Sequence, residues 1–65
     1  MALPDWELWA CAHHVQQQHG EAAARFVADR VAALAQAGDE AGVATWRAVA
    51  DRLNRLTLGA SLYVQ

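Results

Sequence analysis

Apolar residues recur at helical spacing in three stretches of the chain. The clearest stretch runs from Gly38 to Leu56, where Val43, Trp46, Val49, Ala50, Leu53 and Leu56 share one helix face. Leu8, Cys11, Ala12 and Val15 form a second stripe, with Trp9 beside it and Trp6 one turn earlier. Ala23, Phe26, Val27, Val31 and Leu34 form the third. Arg30 lies on the edge of that stripe, where its aliphatic stem can pack while the guanidinium stays wet.

The punctuation between these stripes is equally plain. Pro4 suits a first helical turn, and Asp5 and Glu7 place negative charge at the positive end of the helix dipole. Gly20 is read as the first stop. Passing a helix straight through it costs about 1 kcal/mol relative to alanine, so separate helices are expected on either side. Glu21 and Arg25 are spaced to pair on the second helix. Gly38 can adopt the left-handed conformation that ends a helix, and Asp39 can cap the next one. Gly42 is read as a point of close packing against the end of the second helix. Arg47, Asp51 and Arg55 recur every fourth residue, as in a solvated charge ladder.

These signals predict an all-α fold. The expected architecture is a small three-helix bundle with helices at about 4–19, 21–37 and 39–58, forming one domain over residues 1–65. Trp46 is expected at the centre of the core, where its loss would cost about 3–5 kcal/mol. After Gly59 a short tail, A-S-L-Y-V-Q, carries Leu62, Tyr63 and Val64 without a helical partner stripe. It is expected to cover the core, pair with a neighbouring chain or fray.

Composition sharpens this in two ways. Sixteen of the 65 residues are alanine, which favours helix but buries little area. A domain of this size buries only about 60% of its unfolded surface, so a supplement to the core is expected. Cys11 is the single cysteine, so no disulfide forms within one chain, and self-association into a homodimer is the expected supplement. The net charge of −2 argues against a sequence-independent nucleic-acid binder, whose affinity comes from neutralising phosphates. The absence of lysine fits the codon bias of a GC-rich genome. No apolar run spans a membrane, the N-terminus lacks the pattern of a secretory signal, and one free cysteine suits the cytoplasm.

Candidate chemistry is sparse. Cys11, His13, His14 and His19 fall within nine residues and include metal-binding types. Cys11 and His14 share a face, but His13 is rotated by about 100° from His14 and cannot join it on one ion. Cys11 with His14 as nucleophile and base lacks an orienting third group and an oxyanion site. Asp39 and Glu40 are accounted for by the start of a helix. No cofactor, metal or catalytic residue is therefore assigned, and a non-enzymatic role is expected. A helix-turn-helix reading would use Arg47, Arg52 and Arg55, although the acidic start of that helix would repel phosphate. Three tryptophans are more than one small core needs. Trp6 and Trp9 form a candidate contact patch, joined by Leu62 and Tyr63 of the tail.

The segments D-W-E-L-W-A-C-A, G-E-A-A-A-R-F-V-A-D-R and G-D-E-A-G-V-A-T-W-R-A-V-A-D-R-L resemble a family of short, uncharacterised α-proteobacterial proteins. The shared features are an N-terminal tryptophan helix, a mid-chain Gly-Asp turn and a W-x-x-V-A-x-R-L helix, over residues 5 to 56. The resemblance implies a free-standing bacterial helical protein and brings no cofactor or site residue. The expected function is a self-associating protein-interaction module. A small DNA- or transcription-associated regulator is the alternative.

Overall fold

A computed structural model describes the backbone of residues 3–63 and the side chains of residues 3–58. All its regular structure is helical. α1 spans Asp5–His19, a single 3-10 turn follows at Gly20–Ala22, α2 spans Ala23–Gln36, and α3 spans Glu40–Tyr63. The three predicted stripes therefore lie on helices. The expected separation of the first two shrinks to a single 3-10 turn, because α1, that turn and α2 follow one another with no residue in between. Counted as unbroken runs there are two helical segments, 5–36 and 40–63, and only the second boundary is a full stop.

The physical contrast lies in the two glycines. Gly20 sits at φ 54°, ψ −124°, and its N–H donates to the Gln16 carbonyl, ending the α-helical ladder. The chain changes direction there and re-enters helical structure at once through a single 3-10 turn. Gly38, at φ 76°, closes α2 completely. Its N–H donates to the Ala35 carbonyl (3.1 Å) and the Asp39 N–H to the Leu34 carbonyl (3.0 Å), the pairing of a Schellman turn. Asp39 then caps α3 as predicted, accepting from the Gly42 N–H at 2.9 Å. Gly42 has a different purpose from the one expected. A Cβ at this position would lie 2.6 Å from Asp39 Oδ2, so the glycine makes room for the capping carboxylate.

α3 also runs further than predicted. It continues through Gly59 to Tyr63, so residues 59–63 are helix and not tail. Val64 and Gln65 lie outside the described residues.

α3 is the spine. It packs extensively on both α2 and α1, which touch each other little. α2 and α3 form an antiparallel hairpin. α1 crosses α3, because Asp5 at one end reaches Arg52 while Gln16 near the other shares a groove with Leu53 and Thr57. The result is an elongated slab of 42 × 23 × 16 Å, thick enough for two helix layers. Among the described residues the interior holds Leu8, Ala12, Val15, Ala23, Val27, Val49 and Leu53. All seven lie where α1 covers the hairpin. Trp46 is not among them. It is half-buried at the edge of this core, which corrects its predicted central place.

Candidate interaction surfaces

Asp5 and Trp9 are four apart and share a helix face, so the indole N–H donates to Asp5 Oδ2 at 3.0 Å. Arg52 of α3 approaches the same carboxylate, donating to Asp5 Oδ1 from Nη2 at 2.6 Å and from Nε at 3.1 Å. Its guanidinium lies 5.7 Å from the Trp9 ring centroid, a cation–π contact. Asp51 takes the remaining guanidinium nitrogen of Arg52 at 2.6 Å and also receives Arg55 Nε at 3.2 Å. The hydrogen bond from Arg52, with its charge, holds the Asp5 carboxyl below the usual carboxylate range, and the Asp5 bond raises Arg52 in turn. This latch fastens the start of α1 to α3.

The latch separates the two N-terminal tryptophans. Trp9 is half-buried within it and spends its indole N–H there. Trp6, 68% exposed, lies two residues before the buried Leu8 and therefore on the outer side of α1. The predicted two-tryptophan patch is thus one exposed tryptophan beside a structural one. Leu62 and Tyr63 lie on the last turn of α3, and their side chains fall outside the described residues.

A second arrangement was not anticipated. His19 stacks on Phe26 (centroids 4.1 Å apart, 16° between planes), Phe26 meets Trp46 edge-on at 6.1 Å, and Arg30 lies 5.7 Å over Trp46. This array spans the end of α1, the first half of α2 and the start of α3. Its local signal was the spacing of Phe26 and Arg30 by four. The contact of Phe26 with Trp46 is tertiary and left no mark in the pattern.

The other candidates disperse. His13 and His14 are exposed, Cys11 is half-buried, and His19 is engaged with Phe26. Among the described residues no three metal-capable side chains converge. The predicted ladder forms only its second rung, Asp51–Arg55, and Arg52 joins it from the neighbouring position. Of the three arginines considered for nucleic acid, Arg52 and Arg55 are bound to carboxylates, while Arg47 is exposed. No helix among the described residues is long and apolar enough to cross a membrane. Two open grooves flank the hairpin. One, of about 410 Å³, is lined by Gln16, Glu21, Ala24, Leu53 and Thr57 among others, and the other, of about 400 Å³, by Ala35, Gly38, Asp39, Glu40 and Val43.

No curated protein and no solved structure matches the chain. The family of unknown function DUF6961 matches residues 4–61, from the start of α1 almost to the end of α3, and the chain belongs to it.

Proposed function

We propose that this chain is a small bacterial helical protein-interaction module that associates with itself and carries no catalytic chemistry of its own. The observation that supports this reading is the mismatch between its apolar side chains and its interior. The seven described residues that are buried lie between α1 and the hairpin, whereas Leu3, Trp6 and Leu58 stand exposed and Val31, Leu34, Val43 and Trp46 are half-exposed. Tryptophan is a residue type enriched at interface hot spots. Trp6 is the first contact candidate, Leu62 and Tyr63 on the last turn of α3 are further candidates in this reading, and a single free cysteine suits a reducing cytoplasm. The alternative, a DNA-associated regulator using Arg47, Arg52 and Arg55, has less support, because two of those cations are already neutralised.

Light scattering of the purified chain over a wide concentration range tests the proposal. A mass that rises from 7.1 kDa toward twice that value is expected. A constant monomer mass up to millimolar concentration overturns it.

A further inference from the structure

We infer that the second copy is held by exchange of α1: the bend at Gly20 opens, and the α1 of each chain takes the place of the other's on α3. This rests on the self-association proposed above and names the element that carries it. From Asp5 to Gln36 every residue is α-helical or in the single 3-10 turn, and Gly20 alone among them has a positive φ. A change of backbone angles at this residue, with the 3-10 turn relaxing into the α form, makes the bent pair one straight helix. The apolar register already runs through the bend. Leu8, Ala12, Val15, His19, Ala23 and Val27 follow one another at steps of three or four, the spacing of one continuous helix face. The straight form also joins the last carbonyls of α1 to the first N–H groups of α2, which the bend keeps apart. It gives up the stack of His19 on Phe26, which spans the bend.

The packing within one chain defines what covers the opened faces. α1 is held by α3 and touches its sequence neighbour α2 little. Lifting α1 away uncovers Leu8, Ala12 and Val15 on one side and Val49 and Leu53 on the other. These two faces are complementary, because they form one core in the closed chain. A second opened copy offers the same two faces, so two chains that trade α1 regain the α1–α3 contacts and close on a two-fold axis. Closed and exchanged forms share those contacts, and the balance between them is set at the hinge and by concentration. The latch is traded as well. Asp5 and Trp9 sit on α1 and Arg52 on α3, so the exchange places the 2.6 Å Asp5–Arg52 pair between chains. Trp6 rides on the exchanged helix and reaches the partner with it.

The test is sedimentation equilibrium and native mass spectrometry on full chains: the native protein, Gly20→Ala, and a one-to-one mixture of Asp5→Arg with Arg52→Asp refolded together. An alanine methyl at Gly20 meets no atom within 4 Å, so Gly20→Ala acts through the backbone alone. It penalises the positive φ of the bend and favours the straight helix. Each charge variant by itself sets like charges against each other at the latch. In an exchanged heterodimer the new arginine meets the new aspartate, and the remaining Asp5 meets the remaining Arg52. A dimer that keeps α1 on its own chain retains both clashes. The expected results are a native dimer, a dissociation constant at least tenfold lower in Gly20→Ala, and a heterodimer share well above the half that random pairing gives. Circular dichroism checks folding; where a charge variant does not fold alone, its recovery on mixing is the expected result and no recovery overturns the exchange. A native dimer with Gly20→Ala no tighter, or with random pairing in the mixture, overturns the exchange while leaving self-association standing. A native protein that stays monomeric overturns the self-association itself, and the exchange with it.

Discussion

The two halves of the α2–α3 hairpin carry similar apolar stripes and bury them to different extents. In the half covered by α1, Val27 is 1% exposed and Val49 0%. In the half toward Gly38, Val31, Leu34, Val43 and Trp46 on the same stripes stay half-exposed. Two helices alone meet along a line, and each side chain on that line keeps one side in water. A third helix turns the line into an interior. Burial in this protein is thus set by the reach of α1, and the stripes themselves do not decide it.

The sharpest way to break this comparison is to truncate the same residue type in each half. Leu53→Ala, in the covered half, is expected to cost about 2–5 kcal/mol and so to unfold a domain this small. Leu34→Ala, in the uncovered half, should cost about 1–2 kcal/mol and leave a cooperative transition. Urea titrations of both variants measure the difference, and equal losses would show that the two halves are packed alike. Ala12→Leu probes the contact from the other helix. Ala12 is 0% exposed in the core beneath α1, so a larger side chain must push helices apart, at about 1–3 kcal/mol. A thermal melt at or above the native midpoint would mean that α1 does not press on α3 there.

The turn that joins the two halves of the chain's fold offers a smaller effect. Gly38→Ala meets no atom within 4 Å, so its cost is that of the left-handed backbone alone, about 1–2 kcal/mol. Gly42→Ala gains about 1 kcal/mol of helix propensity but displaces the Asp39 carboxylate, whose cap contributes a similar amount. The two alanine variants should therefore differ, with the second near neutral by denaturant midpoint. The smallest effect belongs to the latch. The Asp5 carboxyl is held below its ordinary value of about 3.9. Its contribution is therefore present above that value and is lost as the pH falls through the lower folded value. Asp5→Asn should be slightly less stable than the native protein at neutral pH, and the gap should close once the native Asp5 carboxyl is protonated. A stability gap that persists in acid would mean that Asp5 acts through something other than its charge.

Much of this fold was legible locally. The Gly38–Asp39 boundary, the Asp39 cap and the faces of all three helices follow from residues within one turn of each other. Gly20 was legible only as a break. Its positive φ ends α1, but whether the next residues leave the helix or tighten within it depends on what α2 packs against. The extent of α3 was misjudged for a related reason, since a glycine at position 59 lowers helix propensity without forbidding a helix that is already under way. For the candidate surfaces the limit was distance along the chain. Trp9 and Trp6 look alike in sequence, and what separates them is Arg52, more than forty positions away.

By itself the sequence determined the helical class, the position of the one complete turn and the face that each helix turns inward. These depend on backbone hydrogen bonding and on side-chain period, both set by near neighbours. Only the tertiary structure decided which inward residues become an interior. It buried a small residue, Ala12, completely and left the largest, Trp46, at the edge. The reason is geometric. A stripe states a direction, and a direction becomes burial only where another helix arrives to meet it.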